Sequence, residues 1–164
     1  MKRYPLLFFA ALLLGVILAR GADAPALPTL TTVRQVRELS QDEAARGYPV
    51  RLRGVLTFHD WDISFLQDAT GGLYVRNTDQ DLRAGTEVEV EGFTERGRTL
   101  PIVTGPGIDG GRAKIHTLGP AQWPQPMKAA ASSLDEDAYD AQWVSVSEQI
   151  RIGISEVKCT GAIL

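Results

Sequence analysis

From Tyr48 onward the chain alternates between apolar and polar positions. In the run Tyr48-Pro49-Val50-Arg51-Leu52-Arg53-Gly54-Val55-Leu56-Thr57-Phe58, residues Val50, Leu52, Leu56 and Phe58 share one face of an extended chain, and Arg51, Arg53 and Thr57 share the other. This predicts a half-buried strand, with Gly54 at its middle where a barrel strand has to bend. A second strand, Ile63 to Gln67, runs into Asp68-Ala69-Thr70-Gly71-Gly72 and returns as Leu73-Tyr74-Val75-Arg76, which is a hairpin with glycine in its turn. Thr86 to Phe93 alternates again and sends Val88 and Val90 inward. A last strand is expected within Leu100 to Leu118, interrupted by the glycine-rich loop Gly105 to Gly111.

Upstream of Tyr48 the period is different. Val33, Val36 and Leu39 recur at helical spacing, and Ser40, Asp42 and Glu43 have the composition of another helix start, so 22–47 reads as a linker followed by one or two short helices on an end of the barrel. Before that, Lys2 and Arg3 precede the uncharged run Leu6 to Ala19. As a helix that run spans only ~21 Å, against about 30 Å of bilayer hydrocarbon. Residues 1–21 therefore read as a signal peptide, with Ala19 and Gly21 as the small-x-small site; the alternative is a retained N-terminal anchor, the one route to a membrane. The expected location is periplasmic or secreted.

Four pieces of the pattern together resemble the OB fold: Val50 to Val55 around Gly54, Phe65-Leu66-Gln67-Asp68-Ala69-Thr70-Gly71, Leu73-Tyr74-Val75, and Gly85 with Val88 to Gly92. They are similar to anticodon-binding OB domains and to small exported bacterial OB proteins. The resemblance implies a mainly β chain, with a five-stranded Greek-key barrel over 48–118. Leu118 to Pro126, with its Leu-Gly-Pro-x-x-Trp-Pro-x-Pro sequence, is similar to a connector in the extracytoplasmic front end of bacterial sensor histidine kinases. The proline-rich stretch 119–131 is expected to be stiff. After it Gln142 to Ser147 aligns with Tyr48 to Arg53, so 132–164 reads as an incomplete second OB-like repeat, truncated and with a strand edge open to self-association.

Composition fits one domain plus a short extra segment: 164 residues, 44% hydrophobic and 23% charged. The formal net charge is −3, and losing Lys2, Arg3 and Arg20 with the leader brings it to −6. That sign makes nucleic acid an unlikely partner. The alternative, an exported single-strand binder, needs a locally basic groove from Arg76, Arg96 and Arg98. A single Cys159 allows no internal disulfide.

The loop between the first two strands helps form the ligand groove of OB folds. The resemblance therefore makes Trp61 and Phe65 a stacking surface, with His59, Gln67, Tyr74 and Arg76 supplying polar contacts to a small ligand or a protein partner. The alternative has Trp61 covering the barrel end and the charged groups solvated. His59 and Asp60 are neighbours that point apart on a strand, which argues against a metal pair. In an OB barrel the fourth strand lies beside the first, so the resemblance has Glu87, Glu89 and Glu91 facing Arg51 and Arg53 with no need of a cation. No Gly-x-Ser-x-Gly elbow or phosphate loop occurs, so the expectation is a non-catalytic module without cofactor.

Overall fold

The computed structural model describes residues 26–77, 81–106, 111–152 and 155–163, with the backbone alone over 148–163. The leader expected at 1–21 lies outside the described residues. Two short helices come first, α1 (Val33–Arg37) and α2 (Gln41–Ala44), each opened by a capping box, Thr32 with Gln35 and Ser40 with Glu43. Five strands follow: β1 (Pro49–Asp60), β2 (Ile63–Asp68), β3 (Gly71–Arg76), β4 (Thr86–Glu95) and β5 (Ile102–Thr104). They pair in the order β1-β2-β3-β5-β4, and β4 returns to β1 to close a barrel. Only the β3–β5 contact, Val75 opposite Val103, is parallel. The fold is thus mainly β, a mixed five-stranded barrel as expected.

Alternation explains the core. Leu52, Leu56, Leu66, Leu73, Val88 and Val90 are fully buried inside the barrel, and Val33 and Val36 of α1 join them at one end. Burying side chains of this size stabilises the fold by about 1.5–3 kcal/mol each. Outside, Arg51 meets Glu89 at 2.9 Å and Arg53 meets Glu87 at 2.9 Å, so the carboxylate stripe is matched across β1 and β4. Contact with Arg51 lowers the pKa of Glu89. Among the described residues no three metal-ligating side chains converge, and no helix is long and apolar enough to cross a membrane.

Two expectations about strands need correction. The strand expected within Leu100 to Leu118 is two strands, β5 and β6 (Lys114–Pro120), and both lie on the same edge of β4, β5 beside Phe93–Glu95 and β6 beside Thr86–Glu91. Phe58 was expected inside with Leu56, but Thr57 is an extra residue in the β1–β2 ladder. Leu56 pairs with Leu66, and the next pair is Phe58 with Phe65. This β-bulge reverses which face each later side chain of β1 takes. Phe58 is consequently sent outward.

Beyond β6, β7 (Met127–Ala129), β8 (Val144–Ile152) and β9 (Ser155–Ile163) form a separate three-stranded sheet. The chain enters β8 as it enters β1. Leu30 lies parallel to Val50, and Met127 lies parallel to Val144; the Leu30 N–H donates to Pro49 O and the Met127 N–H to Trp143 O, each at 2.9 Å. Gly47 and Ala141, each three residues before the matching valine, both have positive φ, 71° and 57°. The next step differs. β9 pairs along the edge of β8 away from β7, the edge that in the barrel belongs to β4, whereas β2 takes the edge of β1 that Leu30 opens.

Gly54 packs directly against β2, since a Cβ there would lie 2.5 Å from the carbonyl oxygen of Gln67. Gly54→Val is expected to destabilise the barrel by about 1–3 kcal/mol, the usual cost of overpacking. A thermal melt checks this, and an unchanged midpoint would mean the strands are not pressed together there.

Candidate functional site

The β2–β3 turn fixes one end of the site. The Asp68 carboxylate accepts from the N–H groups of Val33, Thr70 and Gly71, and the Thr70 hydroxyl accepts from the Arg34 N–H. The Asp-x-Thr-Gly sequence therefore does two tasks, shaping the turn and holding the first turn of α1 on the barrel. At the other end of α1, Arg37 reaches over the outer face of β3.

On that face the register stacks three cross-strand pairs, Ile63 with Arg76, Phe65 with Tyr74, and Gln67 with Gly72. Phe65 packs against Phe58 with ring centroids 5.4 Å apart, and edge-on against Tyr74 at 6.4 Å. The outward turn of Phe58 at the bulge supplies this third ring. The loop from Arg96 to Pro101, between β4 and β5, stands over the first two pairs and encloses a groove of about 440 Å³. Ile63, Phe65, Tyr74 and Arg76 line it, with Arg96 and Arg98 on the loop.

The far wall of the groove is made by the chain after the connector. Residues 137–143 lie as a strap across the third pair, with Asp140 and Ala141 facing the groove. Arg37 holds the strap by donating to the carbonyls of Asp140 at 2.8 Å and Asp137 at 2.9 Å, and it also donates to Gly72 O at 2.8 Å. Burial lowers the Arg37 pKa, an effect that the charges of Asp140 and Asp137 oppose. The Trp143 N–H donates to Gln67 Oε1 at 2.8 Å. Gly72 is required by the same contact, because a Cβ there would collide with the carbonyl oxygen of Ala141. Trp143 in turn stacks on Trp123 of the connector, ring centroids 4.8 Å apart, and Trp123 lies against Gly85.

Of the six residues singled out from sequence, the groove brings together Phe65, Tyr74 and Arg76. Gln67 is on the same face but only 8% exposed, its side-chain oxygen engaged by the strap. His59 pairs with Ser64 and contacts its hydroxyl at 2.9 Å, so past the bulge it takes the face opposite Phe65. Trp61 sits in the β1–β2 turn at φ 53°, 73% exposed and outside the groove, neither stacked on Phe65 nor covering the barrel end. Arg37, Ile63, Leu100 and the strap residues Asp140 and Ala141 were missed. Ile63 was accessible from alternation with Phe65; nothing in the local sequence of 137–143 indicates that it lies on β3.

No protein-family model matches the chain, and no curated protein matches it. Among solved structures, the hypothetical protein ygiW from E. coli is similar to it, with 18% identity and a TM-score of 0.40 over 56% of this chain and 91% of that one. A likeness at this level carries no information about chemistry.

Arg37→Ala removes four donor contacts to carbonyls, three of them on the strap, and is expected to loosen 137–143 while the barrel stays folded. Charge-assisted hydrogen bonds of this kind contribute about 1.5–3 kcal/mol each. Hydrogen exchange at the Trp143 amide is expected to accelerate by roughly tenfold or more. Unchanged protection there, with Arg37 gone, would mean that the strap is held by something else.

Proposed function

We propose that this chain is a non-catalytic binding module acting outside the cytoplasm, with the groove between β2, β3, the loop Arg96 to Pro101 and the strap as its binding site. The observation that carries the proposal is the groove itself: two outward aromatic rings, Phe65 and Tyr74, on the sheet beneath a loop, with arginines at the margin and Phe58 packed against Phe65 outside the lining. A concave apolar floor with a few placed polar groups is the usual form of a small-molecule site. The positively charged start at Lys2 and Arg3, the apolar run and the small residues Ala19 and Gly21 support export.

An input role in a sensor, as the connector resemblance implies, is the finer part of the proposal, and the comparisons add nothing to it. In such a role the strap would report on the groove, since Asp140 and Ala141 belong to both the groove wall and the segment leading into β8.

A thermal-shift screen of the purified chain against small metabolites tests the module reading. A ligand at a hundred times its Kd is expected to stabilise by about 2.7 kcal/mol, a shift of several degrees for a domain of this size. Tyr74→Ala should abolish most of that shift. Ligands whose shift survives Tyr74→Ala and Phe65→Ala would place binding elsewhere, and a screen without any shift would count against a binding module.

A further inference from the structure

The groove differs from the rest of the molecule in its charge. Five charged side chains line it, Arg37, Arg76, Arg96, Arg98 and Asp140. Four are cations, on a chain where 20 acidic side chains outnumber 17 basic ones. Arg96 pairs with Asp42 and Arg76 with Glu95, and neither acid is among the lining residues. The Arg76–Glu95 contact, at 3.7 Å, is longer than a hydrogen bond. The donors of Arg37 go to backbone carbonyls, which carry no net charge. Among the described residues Arg98 forms no ion pair.

The strap limits the size of what fits. It covers the Gln67–Gly72 pair, leaving two cross-strand pairs as open floor. A strand of nucleic acid takes about four or more nucleotides across an OB face, which needs that floor to continue. The volume of about 440 Å³ lies instead in the range of small-molecule sites.

We propose that the groove takes a small anion on a flat apolar body, a carboxylate or phosphate monoester carried by an aromatic ring. The ring lies along Phe65 and Tyr74, and the anionic group meets the guanidinium groups of Arg98 and Arg96. A guanidinium recognises both kinds of oxyanion with paired N–H donors. This assignment rests on the groove being the binding site.

Calorimetric titration of the full chain with phenyl phosphate, benzoate, benzyl alcohol, benzylamine and a short single-stranded oligonucleotide tests it. Phenyl phosphate, benzoate or both are expected to bind roughly tenfold or more tighter than the neutral and cationic probes, and their order identifies the oxyanion. Arg98→Gln should weaken the anions roughly tenfold or more while leaving benzyl alcohol and the melting temperature unchanged, and Arg98→Lys should restore part of the loss. Benzyl alcohol or benzylamine binding as tightly as the anions would overturn the charge assignment and leave the groove standing. Oligonucleotide binding tighter than phenyl phosphate would overturn the small-ligand limit. If no ring compound binds, both the assignment and the groove reading fall.

Discussion

The close approach of the Ala141 carbonyl to Gly72 governs how this chain is put together outside its barrel. It exists because position 72 has no side chain. The approach sets the strap on the β2–β3 face, where Arg37 and Gln67 hold its backbone groups through hydrogen bonds. The closed end of the groove and its small floor follow, and the strap runs on from the groove wall into β8.

A second constraint acts from within the barrel. One extra residue at Thr57 turns Phe58 out and His59 in. Without the bulge the outer face would carry two aromatic rings instead of three, and a histidine would stand beside them. Bulges near binding faces commonly act in this way, changing the aim of side chains while leaving the ladder mostly intact. Here the bulge places Phe58 against Phe65 of the groove floor, and the strap closes the groove over the third pair.

Much of this architecture was legible in sequence because it depends on local periodicity. The alternation in Val50 to Leu56 and in Val88 to Val90 gave the inward faces, and the strand order implied by the OB resemblance gave the pairing of Arg51 and Arg53 with the carboxylate stripe. The capping pattern at Ser40 and Glu43 marked α2. The site was legible only where it shares that periodicity, at Phe65, Tyr74 and Arg76. Reading His59 as a groove residue failed because a bulge has no signature in the alternation that it interrupts. Reading Gln67 as a ligand contact failed because its partner, the Trp143 N–H, is 76 residues away in sequence. Trp61 sits in the β1–β2 turn at φ 53°, beyond the strands in which alternation assigns a side chain to the groove face. The likeness of Gln142 to Ser147 with Tyr48 to Arg53 extends to the backbone at the entry into β8, where Met127 lies beside Val144 as Leu30 lies beside Val50.

The seating of the strap is therefore the point on which the account rests. Proton–proton NOE measurements on the full chain test it directly, between the Hα atoms of Gly72 and the backbone and side-chain protons of Ala141 and Gln142. The account predicts strong cross-peaks there, together with a slowly exchanging Trp143 amide. Absence of those cross-peaks, with the outer face of Gln67 and Gly72 open to solvent, would contradict it.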